Sequence, residues 1–195
     1  MSTANPPEFS ARHRPKRADA RRNYDKVIAA AREAFTESGA ETSLEGIARR
    51  AGVGIGTLYR NFPNRQALLE AVYVDELEAL CRSAADIDTS DPFEALRLWL
   101  RRFVEYMETK HALAAEMLNY VDRQHPLFSE CRRALFASGQ PFLDRAQAAE
   151  VVRADTDLAE IIQLFGQIAK IPSADPAQIC HIFEIALDGL RRRTD

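Results

Sequence analysis

From Asp19 onward the apolar residues recur at steps of three and four, and no run alternates apolar with polar residues. A half-buried strand needs a period of two, so the pattern excludes a sheet and leaves helices packed on helices. Tyr24, Val27, Ile28, Ala31 and Phe35 mark the first helix, which Gly39 is expected to stop. Two very short helices follow. Thr42 or Ser43 caps one, with Thr42 and Glu45 spaced for a capping box, and Leu44, Ile47, Ala48 and Ala51 form its buried side. The other spans about Ile55 to Phe62 and is closed by Pro63.

Asn64 then caps a long helix reaching about Ala85. Asp91, Pro92 and Glu94 repeat the start signal for a helix to about Lys110, and a shorter one is expected over about Ala112–Val121. Residues 127–152 read as a helix interrupted near Gly139-Gln140-Pro141. The last two helices are expected at about Asp157–Lys170, capped by Asp155 or Thr156, and at Pro176–Arg192, capped by Asp175. The fold class is therefore all-α with about nine helices: three N-terminal helices, a long fourth that joins them to the rest, and a C-terminal helical remainder.

Charge divides the chain. The net charge of −3 hides an N-terminal third, residues 1–70, with 12 Lys and Arg against 8 Asp and Glu, and a remainder with 14 against 21. A basic third on an acidic body suggests two jobs. The longest stretch free of Asp, Glu, Lys and Arg is Ala134–Leu143, whereas a membrane span needs roughly 18 apolar residues, so no membrane partner is expected. The start of the chain does not read as a secretory signal. Cys81, Cys131 and Cys180 are odd in number and far apart, which favours reduced thiols and a cytoplasmic location. A di-iron bundle needs two Glu-x-x-His motifs plus carboxylates from two other helices, whereas Glu108-x-x-His111 sits at an expected helix end and Asp122-x-x-His125 beside Pro126, so no metal or other cofactor is expected, and no nucleophile or phosphate motif suggests an enzyme.

The informative segment is Ser43–Leu69. Two short helices meet at a glycine turn, and the second carries small and hydrogen-bonding residues in place of an apolar stripe, as a helix-turn-helix requires. Gly56 permits close backbone approach; Thr57 and Tyr59 offer hydroxyls; Arg60 can grip guanine or phosphate; Asn61 can donate and accept. Leu58 and Phe62 point inward, and Arg65 opens the next helix. The phrases IA-x-x-AGV at Ile47–Val53, GTLYRNF at Gly56–Phe62 and P-x-R-x-x-LL at Pro63–Leu69 resemble the DNA-binding domain of the TetR/AcrR family of transcriptional regulators. The resemblance runs from about Asn23 to Val72 and implies DNA contacts at Ser43, Glu45, Ile55, Gly56, Thr57, Tyr59, Arg60, Asn61 and Arg65. Gly54, Ile55 and Arg65 depart from the family's common choices, which bears on the operator sequence. DRAQAAEVVRADTDL at Asp144–Leu158 is similar to a subgroup of actinobacterial-looking members.

The resemblance divides the chain into a flexible basic arm (1–18), a helix-turn-helix domain (19–63) and a ligand-binding and dimerisation domain (64–195). Arg12, Arg14, Lys16 and Arg17 of the arm either track phosphates or only solubilise it. Trp99, Phe103, Tyr106, Met107, Met117, Tyr120, Phe128 and Arg145 are candidate pocket residues, although aromatics at helical spacing are more often plain core. Ile161, Phe165, Ile168, Ile179, Ile182, Phe183, Ala186 and Leu190 exceed what a terminal hairpin needs and are candidates for a homodimer interface. The expected function is a ligand-responsive repressor, dimeric on a pseudo-palindromic double-stranded operator and released by a small, mostly apolar effector. The alternative is an all-α small-molecule-binding protein with a degenerate DNA-binding domain.

Overall fold

In a computed structural model the described residues are 14–38, 42–172 and 175–192. They form α1 (Ala18–Ser38), α2 (Leu44–Ala51), α3 (Ile55–Asn61), α4 (Arg65–Ala85), α5 (Pro92–Met117), α6 (Pro126–Ala148), α7 (Leu158–Ile168) and α8 (Pro176–Asp188). Among the described residues there is no strand, only one isolated bridge between Val152 and Arg191. The fold is all-α. Gly39, expected to stop the first helix, and Arg12 of the arm lie outside the described residues.

Among the described residues eight helices stand where about nine are expected, because the break expected after Lys110 does not occur, and the interruption expected within residues 127–152 is absent as well. α5 continues through Lys110-His111, where no Pro or Gly intervenes, and the fully buried Leu113 and Met117 extend the apolar stripe of Phe103 and Tyr106. α6 is likewise unbroken across Gly139-Gln140-Pro141. Pro141 turns its ring to solvent, and Gly139 serves packing: a Cβ there would stand 2.4–2.9 Å from ring carbons of Trp99.

The caps differ in detail from the expected ones. Ser43 caps α2 by accepting from Gly46 N, while Thr42 donates to Ala34 O, so the Thr42–Glu45 box does not form. Asn64 accepts from Ala67 N and Asp91 from Phe93 N, as expected; Glu94, however, pairs with Arg97 instead of closing a box. α7 is capped by Asp157, which forms a complete capping box with Glu160, because Asp155 is tied to Arg153. α8 stops at Asp188, short of Arg192, since Arg192 N donates to Val151 O and Arg153 N to Leu190 O.

The chain forms two compact units. The first joins residues 14–78 with 109–131; the second joins 79–108 with 132–192. In the first, Tyr24, Val27, Ile28 and Phe35 of α1, Ile47 of α2, Leu58 of α3 and Leu68, Leu69 and Val72 of α4 are buried together. Each such side chain contributes about 1.5–3 kcal/mol of hydrophobic stabilisation. In the second, Trp99 stacks on Phe103 and Phe142 at 5.7 and 6.3 Å and donates to Ser138 Oγ. Phe165 meets Phe183 edge-on at 5.3 Å, joining α7 to α8, and Arg97 reaches Glu184 at 2.8 Å.

Candidate nucleic-acid interface

The turn between α2 and α3 is made by glycine. Gly52 adopts φ 65°, a left-handed conformation that costs other residues, and its N–H reaches back to Ala48 O and Arg49 O. Val53 N also bonds to Ala48 O, at 3.0 Å, closing the end of α2. Gly54 then starts α3 with no side-chain cap at all. The helix is held from one side: Leu58 is fully buried, and Phe62 packs on the Tyr24 ring at 5.0 Å. Burial pushes the Tyr24 phenol up to about 12, so it packs as a neutral ring.

Holding Leu58 and Phe62 inward leaves the opposite face of α3 free. Ile55 is 39% and Tyr59 43% exposed, and Gly56 and Arg60 stand in solvent beside them. Thr57 and Asn61 are half-buried at the margin. Arg60 folds back on its own helix, donating to Gly56 O at 3.2 Å and Thr57 Oγ1 at 3.0 Å, while Asn61 donates to Thr57 O at 2.8 Å. Bonds this exposed exchange readily with water or with another acceptor. Ser43 and Glu45 are exposed at the start of α2. Arg49 is also exposed, whereas Arg50 is paired with Glu37 at 2.6 Å, a bond that holds the Glu37 carboxyl below its ordinary range.

Arg65 is placed differently. Its guanidinium lies inside the unit, donating from Nε and Nη2 to Glu116 Oε1 at 3.1 and 2.9 Å and from Nη1 to Thr42 O. Its flat face covers the Phe35 ring at 4.9 Å. Asn119 donates to the other Glu116 oxygen at 3.2 Å. The hub ties α1, the segment before α2, α4 and the end of α5. Sequence reasoning missed Glu116, although a carboxylate beside Leu113 and Met117 in an apolar stripe is itself a sign of a buried partner. In the arm, Arg14 reaches Asp25 at 2.6 Å, while Lys16 and Arg17 are exposed. Arg32 bridges Asp75 and Glu76, and burial raises the Glu76 carboxyl above its ordinary value against that pull.

Residues 27–72 match the family model of the bacterial regulatory proteins of the tetR family, and residues 91–192 match that of the C-terminal domain of SbtR-like transcriptional regulators. The chain belongs to the TetR family. A TetR transcriptional regulator from Streptomyces coelicolor is 38% identical over 87% of this chain and 99% of its own, with a TM-score of 0.75. A TetR regulatory protein from Mycobacterium vanbaalenii is 32% identical over 91% and 99%, also at 0.75. A fatty acid degradation regulator from Bacillus halodurans shares the fold at 20% identity, over 88% and 97%, with a TM-score of 0.62.

This TetR-family regulator is thus a DNA-binding transcriptional regulator, and no helix among its described residues is long and apolar enough to cross a membrane. Its candidate pocket residues are not alike. Trp99, Phe103 and Tyr106 are buried in the second unit and Met107 is half-buried there, with Arg145 exposed. Met117 is buried in the first unit, where Phe128 is half-buried against the Tyr73 ring and Tyr120 is 42% exposed. Of the interface candidates, Ile161, Phe165, Ile168, Phe183 and Leu190 are buried within their own unit, and Ile179, Ile182 and Ala186 are half-buried. The exposed large apolar side chains of α7 and α8 are two that sequence reasoning passed over, Leu164 at 49% and Ile185 at 57%.

Proposed function

We propose that this TetR-family regulator is a repressor that binds a pseudo-palindromic operator as a homodimer and leaves it when a small, mostly apolar effector binds. One observation carries the reading: α3 is anchored through Leu58 and Phe62 and presents Ile55, Gly56, Tyr59 and Arg60 outward, a face of the size a major groove admits. Residues 19–63 bind DNA, with Thr57, Arg60 and Asn61 facing base edges and Tyr59 a phosphate. Ser43 and Glu45 flank the groove. Arg65 supports this face from behind, through Glu116, Thr42 and Phe35. The arm adds Lys16 and Arg17 to the phosphate contacts.

Residues 64–195 bind the effector and form the dimer. The dimer surface is the outer face of α7 and α8, where Leu164 and Ile185 supply exposed apolar area and Ile182 and Ala186 its margin. A regulator with this task works in the cytoplasm, beside its DNA. The effector acts only through a difference in affinity between the DNA-competent and incompetent arrangements, since equal affinity shifts nothing. A mobility-shift assay on the DNA upstream of its own gene tests the reading. The expected result is a complex that survives excess random duplex and protects two half-sites about one helical turn apart. Ligand binding without any preference over random duplex would instead favour a small-molecule-binding protein with a degenerate DNA-binding domain.

A further inference from the structure

We propose that Ile55 reads the 5-methyl group of a thymine in each operator half-site, and that Gly54 and Gly56 are bare so that the groove can close on it. The inference rests on the DNA-binding reading of α3 and deepens it. A single exposed isoleucine is ordinary on any surface. The two glycines beside it are bare although nothing among the described residues requires it. Neither has a positive φ; among the described glycines Gly52 is the one that does. A Cβ built on Gly54 or on Gly56 meets no atom within 4 Å.

Gly56 also works against the fold. Gly54 is an ordinary cap residue, only about a few tenths of a kcal/mol poorer than Ser, Asn or Asp, and it makes no side-chain bond. Gly56 lies in the first turn of α3, where alanine is the better helix former. The bareness is therefore addressed to something outside the chain that approaches closely.

The chemistry of that partner follows from Ile55 itself. Its side chain has no polar atom, so it can bond neither a phosphate nor the donors and acceptors of base edges. Among the four bases only thymine offers an apolar group in the major groove, its 5-methyl. Arg60 and Tyr59, on the same exposed face one turn further on, provide the cation and hydroxyl that bring a polyanion to it.

The test uses the full chain and an operator selected from a random duplex pool. Each thymine is replaced singly by deoxyuridine, which removes only the methyl. One position per half-site should lose about fourfold in affinity, the effect of one buried methyl-sized group. Ile55→Ala, an exposed change that leaves the core intact, should be indifferent to deoxyuridine at that position. Gly56→Ala should raise Tm and yet weaken operator binding at least tenfold. A flat deoxyuridine scan, an unchanged scan in Ile55→Ala, or full affinity in Gly56→Ala would each overturn the inference alone. Failure of the wild type to select any operator would overturn the DNA-binding reading with it.

Discussion

Replacing Arg65 by alanine separates two roles that its position invites. Arg65 stands in the first turn of α4, where a DNA-binding domain presents cations to phosphate, but its guanidinium is spent on Glu116 Oε1, Thr42 O and the Phe35 ring. The side chains of Arg65 and Glu116 are only 16% and 7% exposed. Removing one partner from so buried a pair strands the other charge, at a cost of about 3–5 kcal/mol. For a chain of this length 1 kcal/mol moves Tm by roughly 2–4 °C, so the lower bound alone gives roughly 6–12 °C. Circular dichroism at 222 nm during heating measures it. The double change Arg65→Met with Glu116→Leu should recover most of the loss, because no charge is then buried unpaired. The salt dependence of residual DNA binding should keep its slope. An unchanged Tm with a slope shallower by roughly one unit per subunit would refute the argument and make Arg65 a phosphate ligand.

Three further substitutions have defined outcomes. Gly139→Ala should destabilise despite its better helix propensity: its Cβ would meet Trp99, already packed by Phe103 and Phe142, and overpacking of about 1–3 kcal/mol exceeds a gain of at most about 1. The fluorescence of Trp99, the sole tryptophan, follows the unfolding, and a rise in Tm would contradict the packing. Lys110 lies over the Tyr73 ring, and burial pulls its amine below the ordinary 10.5. The unfolded chain therefore binds more protons as pH rises through the folded value, and the wild type should gain stability relative to Lys110→Met as pH rises toward 10.5; a constant difference in urea melts would exclude this. Ile185→Glu should convert the proposed dimer to a monomer in sedimentation velocity while the chain keeps its helical circular dichroism, whereas an unchanged dimer would place the interface elsewhere.

What could be read from the sequence was what depends on near neighbours. Leu58 and Phe62 lie one turn apart, the glycine turn precedes them, and the caps at Ser43, Asn64, Asp91 and Asp175 sit beside the helices they start. The two cap candidates for α7, Asp155 and Thr156, both gave way to Asp157, because Arg153 holds Asp155. Gly139 looked like a break because its reason, the Trp99 ring, is supplied by another helix. Arg65 looked like a phosphate contact for the same cause: Glu116 is 51 residues away in sequence. The apolar residues of α7 and α8 were countable, but which of them face outward depends on how the pair packs, and Leu164 and Ile185 emerge only from that packing.

The central claim is that the exposed face of α3 and the basic residues around it grip DNA chiefly through phosphates. The most direct measurement is operator affinity as a function of salt. Lys16 and Arg17 engaged in both subunits neutralise about four phosphates, which gives a log–log slope of roughly −3.6, a loss of roughly 150-fold between about 50 and 200 mM. Affinity that changes less than about threefold over that range would contradict it.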